Sequence, residues 1–128
     1  MNSIRVLIVD DSRYMRKVVE LSLRQAGIQF KQILGAENGF EALRVLRDNV
    51  VDLILCDIDM PVMDGLEFVN QLSGVANGKG VPVVMITGEG HEAHVVQALS
   101  RGARGYIRKP FTTEDIRRHV FPLLAAKS

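Results

Sequence analysis

Short apolar runs rich in β-branched residues alternate along the chain with segments whose apolar residues recur at helical spacing. Each run is bounded by turn residues or charges, as strands usually are. The pattern predicts five strands, at residues 4–9, 31–36, 51–56, 81–87 and 103–107. A strict alternation of strands and helices implies a parallel sheet with helices on both faces and right-handed crossovers.

One amphipathic helix is predicted in each gap, and a fifth after the last strand. In the fourth helix, Val95, Val96 and Leu99 are the apolar residues at helical spacing. The fifth should begin at Thr112, a favourable N-cap. Its expected buried residues are Ile116, Val120 and Leu124. Pro122 predicts either a kink or a stop near Phe121, and the glycine-rich stretch 73–80 is interpreted as a loop.

Length and composition narrow the class of protein. A chain of 128 residues fits one compact domain, and no domain boundary is visible. A formal net charge of +1 lacks the basic excess of a dedicated nucleic-acid-binding protein. The single cysteine, Cys56, cannot form an internal disulfide and is expected to be an inert core thiol. The first apolar run is too short to span a membrane. These features predict a cytoplasmic protein without direct nucleic-acid contact or membrane insertion.

Polar residues follow the predicted strands where a sheet of this kind binds ligands, at the carboxyl ends. Asp10 and Asp11 follow the first strand, Asp57 the third and Lys109 the fifth, while Thr87 ends the fourth. Converging carboxylates repel one another unless a cation lies among them, and oxygen ligands suit Mg²⁺. Asp57 could then act as a nucleophile toward a phosphoryl group, with the Lys109 ammonium neutralising the developing charge.

Four ordered segments, IRVLIVDDS (4–12), CDIDMPVMDG (56–65), ITG (86–88) and GYIRKPF (105–111), resemble the receiver domain of bacterial response regulators over essentially the whole chain. The resemblance implies a flavodoxin-like α/β fold, a (βα)5 three-layer sandwich with strand order 2-1-3-4-5. It also implies two-component signalling, in which the domain takes a phosphoryl group from a histidine kinase or a histidine phosphotransfer domain. Such a domain catalyses its own phosphotransfer and dephosphorylation and is not a turnover enzyme.

The resemblance assigns roles to the residues at the strand ends. Asp57 resembles the phosphoacceptor, and Asp11, Asp57 and the main-chain carbonyl of Asp59 resemble the direct Mg²⁺ ligands. Asp10 resembles the acid that holds the metal largely through water. Lys109 resembles the lysine that pairs first with the acceptor and then with the phosphoryl group.

Thr87 and Tyr106 resemble the family's switch pair. In the family the hydroxyl moves toward the phosphate and the ring turns inward, which alters the surface of the fourth helix, fifth strand and fifth helix. That surface is the expected docking face for a downstream protein target, and phosphorylation is expected to shift a pre-existing population. The resemblance also leaves room for a phosphorylation-dependent dimer, and it implies a cis bond between Lys109 and Pro110.

Two acids flank the expected phosphoryl position. Asp59 lies two residues after Asp57, and Glu89 lies two residues after Thr87. In the family these positions border the path of the attacking water. We hypothesise that their charge discourages anionic small-molecule donors and changes the rate of self-dephosphorylation, in a direction that the sequence does not fix.

Basic residues cluster on the first helix and near the expected docking face, at Arg13, Arg16, Lys17, Arg24, Arg101, Arg104, Arg117 and Arg118. Such residues most often form a solvated surface. The alternative is docking: the first helix with Tyr14 and Met15 would help select the phosphodonor, and the basic docking face would favour an acidic partner. Charge reversal at Arg117 and Arg118 would then weaken that partner's binding.

A different class of protein also fits part of the pattern. Asp57 and Asp59 match the Asp-x-Asp nucleophile motif of haloacid-dehalogenase-like aspartyl-phosphate phosphatases. In that family the motif ends the first strand and the acidic pair comes last, whereas here the order is reversed. A second alternative keeps the receiver but makes it an excised part of a larger multidomain regulator. The segment 10–15, DDSRYM, resembles stand-alone chemotaxis receivers instead.

Two weaker patterns are interpreted as structural. The segment 88–93 fits Gly-x-Gly-x-x-Ala, but no acidic residue ends the next strand to hold a ribose. His91 and His94 are three residues apart rather than the four of a zinc metalloprotease helix. With His119, they are expected to be exposed helix residues.

Overall fold

The computed structural model describes residues 3–88 and 90–125. Its elements in chain order are β1 (Ile4–Val9), α1 (Arg13–Gln25), β2 (Phe30–Ala36), α2 (Gly39–Asp48), β3 (Leu53–Asp57), α3 (Gly65–Leu72), β4 (Val83–Thr87), α4 (Glu92–Ser100), β5 (Gly105–Arg108) and α5 (Thr113–Ala125). The strands are parallel and lie in the order β2-β1-β3-β4-β5. The expected flavodoxin-like α/β fold and its strand order are confirmed.

The sheet separates two hydrophobic cores because successive side chains of a strand point to opposite faces. In β3, Ile54 and Cys56 belong to the core covered by α2, α3 and α4. Leu53 and Leu55 belong to the core covered by α1 and α5. Every residue of β3 and β4 is buried, as expected for central strands covered on both faces. Cys56 is fully buried, which confirms its place in the core.

Side-chain caps start several helices soon after a strand ends. The side-chain oxygens of Ser12, Asn38 and Asp64 each accept a hydrogen bond from a backbone N–H in the first turn of α1, α2 and α3. At α5 the cap is reciprocal, because the Asp115 N–H donates to Thr112 Oγ1 and the Thr112 N–H donates to the Asp115 carboxylate. The N-cap role predicted for Thr112 is confirmed.

The buried face of α5 agrees with the prediction. Ile116, Val120 and Leu124 are buried. The helix continues through Pro122 to Ala125, which excludes the stop near Phe121, one of the two alternatives that Pro122 left open. Packing of Leu124 against the core extends the helix beyond a residue that intrinsic propensity disfavours.

The fourth helix buries fewer residues than its pattern indicated. Val95 and Ala98 are buried, whereas Val96 is 66% exposed and Leu99 is 39% exposed. Of the three apolar residues at helical spacing, Val95 is buried, whereas Val96 and Leu99 are exposed. The buried stripe of α4 consists of Val95 and Ala98, and the spacing did not point to Ala98.

Three strands begin two residues later than the apolar runs indicated. β3 begins at Leu53 rather than at residue 51, β4 at Val83 rather than at residue 81, and β5 at Gly105 rather than at residue 103. Val51 and Ala103 are nevertheless buried. In this protein an apolar run therefore indicates which residues are buried rather than where the hydrogen-bonded strand begins and ends. The predicted loop 73–80 contains a short 3-10 helix, Ala76–Gly78. None of the helices in the described ranges has the length and apolar character needed to cross a bilayer.

Candidate functional site

Three carboxylates converge at the carboxyl ends of β1 and β3. Asp10 and Asp11 follow β1, and Asp57 is the last residue of β3. One carboxylate oxygen from each lies within 4.8 Å of the others. Asp10 and Asp57 are buried, while Asp11 is exposed. The acid cluster, defined here as Asp10, Asp11 and Asp57, is the arrangement that the strand ends predicted.

Lys109 is the cation of this site. Its Nζ lies 3.6 Å from Asp57 Oδ2 and 3.9 Å from Asp10 Oδ2. Burial raises the pKa of Asp57, an effect that Lys109 opposes and the nearby Asp10 reinforces. Burial also raises the pKa of Asp10, while the Ser12 N–H and Lys109 lower it and Asp11 raises it. One ammonium thus faces two buried carboxylates, and negative charge remains in excess.

One oxygen of Asp10 is unsatisfied. Asp10 Oδ1 accepts a hydrogen bond of 2.9 Å from the Ser12 N–H. Asp10 Oδ2 is buried and has no hydrogen-bond partner among residues 3–88 and 90–125. Lys109 Nζ, at 3.9 Å, is the cation nearest to it that the salt bridges show, and a buried carboxylate oxygen without a hydrogen bond is costly. Together with two further carboxylates within reach, it fits a hard divalent cation such as Mg²⁺.

The loop after β3 is folded back on Asp57. The Gly65 N–H donates to the Ile58 carbonyl at 2.8 Å. A Cβ on Gly65 would collide with the Asp57 carbonyl, so only glycine permits this approach. The backbone N–H groups of Asp59 and Ile58 lower the pKa of the Asp57 carboxyl. The Asp59 side chain is exposed.

The same loop contains a strained residue that the sequence did not reveal. Val62 has a φ of 69° and is 84% exposed. The Met63 N–H donates to the Pro61 carbonyl at 2.7 Å, which closes a three-residue turn around Val62. The Met63 carbonyl in turn accepts from the Gly39 N–H at 2.9 Å, which ties the loop to α2. A β-branched residue gives no sequence signal for such a turn.

Lys109 and Thr87 are joined through the backbone. The Lys109 N–H donates to the Thr87 carbonyl at 2.8 Å, and the Lys109–Pro110 peptide bond is cis, as expected. The Thr87 side chain is 2% exposed. Its hydroxyl donates to the Gly88 carbonyl at 3.1 Å. Thr87 therefore lies at the end of β4 beside the acid cluster with its hydroxyl engaged on the main chain.

Thr87 and Tyr106 line one cleft between α4 and β5. The cleft has a volume of about 270 Å³. Its lining residues are Thr87, Gly88, Glu92, Val95, Val96, Leu99, Tyr106 and Arg108. Tyr106 is 38% exposed, and its ring centroid lies 6.1 Å from that of His119. An exposed ion pair of 3.2 Å joins Glu92 to Arg108. The two residues expected to form a switch thus share one surface.

Other predicted residues have different outcomes. Glu89 lies outside the described residues. His91 precedes α4 and is half-buried, so its assignment as an exposed helix residue is wrong, and His119 is half-buried as well; only His94 is exposed. Within the described part of the chain, no group of three potential metal ligands includes a histidine.

Two residues near the acid cluster were missed by the sequence interpretation of the site. Ser12 both caps α1 and donates its N–H to Asp10. A serine between an acidic pair and a helical pattern is a recognisable cap signal. Arg16 was interpreted as solvated surface, but it is half-buried and its Nη1 donates to the Asp10 carbonyl at 2.5 Å. No local pattern predicts this contact.

Comparison with known proteins identifies the family. The family model described as "Response regulator receiver domain" matches residues 6–121. Chemotaxis protein CheY1 of Helicobacter pylori is 37% identical over 114 residues, which cover 88% of this chain and 90% of that protein. Neither the comparisons nor the site favours the phosphatase alternative.

Solved structures agree with this result. The chemotaxis response regulator CheY4 of Vibrio cholerae is 32% identical, with a TM-score of 0.81 over 96% of this chain and 100% of that chain. The receiver domain of the sensor histidine kinase PA1611 of Pseudomonas aeruginosa, solved with a magnesium ion in its active-site cleft, is 25% identical, with a TM-score of 0.82 over 97% of this chain and 99% of that chain. Taken with the acid cluster and its lysine, these matches show that the chain belongs to the response regulator receiver domain family and is CheY-like.

Proposed function

We propose that this receiver accepts a phosphoryl group on Asp57 from a histidine kinase or a histidine phosphotransfer domain and signals through the surface of α4, β5 and α5. One observation carries the proposal: the buried Asp57 carboxylate lies 3.6 Å from the Lys109 ammonium within a cluster of three converging carboxylates. The domain acts as a signalling switch rather than as a turnover enzyme.

Mg²⁺ would be held by Asp10, Asp11, Asp57 and the main-chain carbonyl of Asp59. The unsatisfied Asp10 Oδ2 supports this assignment, as does the magnesium ion in the related receiver of Pseudomonas aeruginosa. When bound, Mg²⁺ supplies neutralising charge to the phosphoryl oxygens. Asp10 would hold the metal largely through water.

In the transfer step, a carboxylate oxygen of Asp57 bonds to phosphorus as the bond between phosphorus and the donor histidine nitrogen breaks. Lys109 is placed to neutralise charge on the transferring group, since its Nζ already faces Asp57 Oδ2. The backbone N–H groups of Ile58 and Asp59 favour the charged form of the carboxylate, since they lower its pKa. In self-dephosphorylation, which is a separate reaction, a water oxygen bonds to phosphorus as the bond between phosphorus and the Asp57 oxygen breaks. Inorganic phosphate leaves and the Asp57 carboxylate is restored. The flanking acids Asp59 and Glu89 tune that rate.

The output begins at Thr87. Its hydroxyl now donates to a neutral carbonyl, that of Gly88. A phosphoryl oxygen on Asp57 is a charged and therefore stronger acceptor, and Asp57 pairs with Ile86, the residue before Thr87. Rotation of the Thr87 side chain toward it would open room in the cleft for the Tyr106 ring. Phosphorylation would thereby favour a second arrangement of the docking face.

The proposal also concerns the signalling pathway, the partner protein and the cellular location. The names of the curated relative and of the Vibrio cholerae structure favour a chemotaxis pathway. A cytoplasmic location stays a prediction from the sequence. The basic docking face favours an acidic partner protein, and a phosphorylation-dependent dimer and membership of a larger regulator stay predictions. Direct contact with nucleic acid is not part of the proposal, because the net charge is only +1.

The test is the intact-protein mass after incubation with phosphoramidate and Mg²⁺. A single phosphoryl adduct is expected, which disappears with EDTA and in the Asp57→Asn variant. Exposed Asp48 offers a matched control, since Asp48→Asn should leave the adduct unchanged. Steady phosphate release from a test ester without an adduct would instead support a phosphatase. No adduct from either phosphoramidate or a phosphorylated histidine donor would contradict the proposal.

A further inference from the structure

Arg16 makes a contact that neither the phosphoryl transfer nor the switch explains. Its Nη1 donates a hydrogen bond of 2.5 Å to the main-chain carbonyl of Asp10. Its neighbours on α1 behave differently: Arg13 and Lys17 are exposed, and Lys17 pairs only with Glu20 at 3.4 Å. Arg16 is therefore the basic residue of this helix that reaches back to the end of β1.

The carbonyl that Arg16 binds has structural importance for the acid cluster. The Asp10 N–H still donates to the Ala36 carbonyl at 3.0 Å, but β1 ends at Val9. The Asp10 carbonyl and the Asp11 N–H belong to one planar peptide group. A donor that fixes this carbonyl consequently fixes the plane that joins the two adjacent acids.

The fold leaves space for Arg16 at Gly35 of β2. A Cβ on Gly35 would lie 3.3 Å from Arg16 Nε and 3.5 Å from Arg16 Cδ. Gly35 is exposed and is not one of the described glycines with positive φ. Its backbone therefore does not require glycine, and the missing side chain serves the contact with Arg16.

We propose that Arg16 is a positioning residue for the metal site, and that Gly35 is required to seat it. Arg16 holds the Asp10–Asp11 peptide so that both carboxylates point toward Asp57. This inference rests on the proposed function in one respect, namely that Mg²⁺ binds at the acid cluster. The change in Mg²⁺ affinity on replacement of Arg16 should be opposite in sign to that of a simple charge effect. A cation near a metal site repels the metal, so removal of its charge alone would tighten Mg²⁺ binding.

The experiment is a calorimetric Mg²⁺ titration of the full chain and its variants. Arg16→Met should weaken Mg²⁺ binding by about tenfold, the lower end for loss of an outer hydrogen bond at a metal site. Arg16→Lys, which keeps the charge but not the planar fork, should lie between wild type and Arg16→Met. Gly35→Val should weaken binding in the same direction without altering Arg16. The matched control Lys17→Met removes one charge from the same helix and should leave affinity unchanged or slightly tighter.

A second readout needs no metal. The ¹³C shift of the Asp10 carbonyl and the ¹⁵N shift of the Asp11 amide should move in Arg16→Met and Gly35→Val and stay fixed in Lys17→Met. The double variant, Arg16→Met with Gly35→Val, should lose no more Mg²⁺ affinity than Arg16→Met alone, because the two changes remove the same contact. A loss equal to the sum of the two single effects would contradict the proposal.

The outcomes separate this inference from the proposed function. Unchanged or tighter Mg²⁺ binding in a folded Arg16→Met protein overturns the inference and leaves the proposed function standing. Should Arg16→Met fail to fold, wild-type affinity in Gly35→Val overturns it equally. A wild-type protein that binds Mg²⁺ but gains no phosphoryl group overturns only the proposed transfer. A wild-type protein that binds no Mg²⁺ overturns both.

Discussion

The acid cluster and the cleft between α4 and β5 are built in opposite ways, although Thr87 belongs to the edge of both. The acid cluster is charged, and two of its three carboxylates are buried. The cleft is lined largely by apolar side chains, and Val96, Leu99 and Tyr106 are exposed there. Electrostatic repulsion therefore dominates the acid cluster, while the cleft exposes apolar surface that a partner protein could bind.

Their anchoring differs as well. Side-chain caps begin α1, α2, α3 and α5. At α4, among residues that the structure describes, no side chain caps the first turn. The helix with the weakest start is thus the one that lines the cleft. When phosphorylation changes the charge at the acid cluster, the structural response is therefore expected at α4, because weakly anchored elements open at the lowest free energy.

Removal of Lys109 gives the largest expected effect. Lys109→Met should slow phosphoryl uptake by about 10²–10³-fold, because a preorganised charge facing the transferring group is lost. The matched control is Arg108→Met, whose side chain pairs with Glu92 on the surface and should leave uptake unchanged. Adduct formation followed by mass over time gives both rates. Equal rates for Lys109→Met and wild type would contradict the assigned role.

Adjacent valines of α4 test how the cleft is built. Val95→Ala should lower the free energy of unfolding by about 2 kcal/mol, because Val95 is buried. Val96→Ala should change it by less than about 0.5 kcal/mol, since Val96 is exposed. Urea unfolding of the two variants measures the difference. Similar losses would mean that Val96 packs against the body of the protein.

The metal-free acid cluster should destabilise the protein at neutral pH. Burial raises the pKa of Asp10 and Asp57 in the folded state, so the folded protein holds protons more tightly than the unfolded chain. Stability should therefore fall as the pH rises above the unfolded pKa toward the raised folded values. Asp10→Asn should therefore have a higher free energy of unfolding than wild type at neutral pH.

Urea unfolding across pH without metal measures this effect, with Asp48→Asn as the exposed control. Mg²⁺ should remove the advantage of Asp10→Asn, since the wild type then gains binding free energy. An Asp10→Asn protein less stable than wild type without metal would show that the carboxylate is already well satisfied.

The smallest expected effect belongs to the exposed Asp59. Asp59→Asn should change the rate of phosphoryl uptake or of loss by about two- to fivefold, the range of an exposed charge interaction. The change should shrink at high salt. Glu89→Gln tests the second flanking acid in the same way. Unchanged rates of both uptake and loss in Asp59→Asn would contradict the hypothesis.

Sequence patterns predicted the site better than the surface around it. Asp10, Asp57 and Lys109 follow buried strands, and topology brings such strand ends together whatever the details of packing. The N-cap at Thr112 was recognisable because its partner Asp115 lies three residues away. These predictions depended on local spacing or on the order of strands, both of which the sequence carries.

The features that the sequence left open have a common physical cause. The exposure of Val96, the contact from Arg16 to the Asp10 carbonyl and the continuation of α5 through Pro122 all depend on how helices pack. The spacing of apolar residues shows which side of a helix is apolar, but not how wide a stripe of it packs against the rest of the protein. Nor does it show which basic residue reaches back to a strand end.

The link between the acid cluster and the cleft is tested by NMR of Thr87 and Tyr106 while Asp57 is phosphorylated with phosphoramidate and Mg²⁺. Large shifts are expected at Thr87, Gly88 and the Tyr106 ring. In Thr87→Ala the adduct should still form, and the Tyr106 shifts should be lost. Shifts confined to the neighbours of Asp57, or a Tyr106 response in Thr87→Ala equal to that of wild type, would contradict the link between the acid cluster and the cleft.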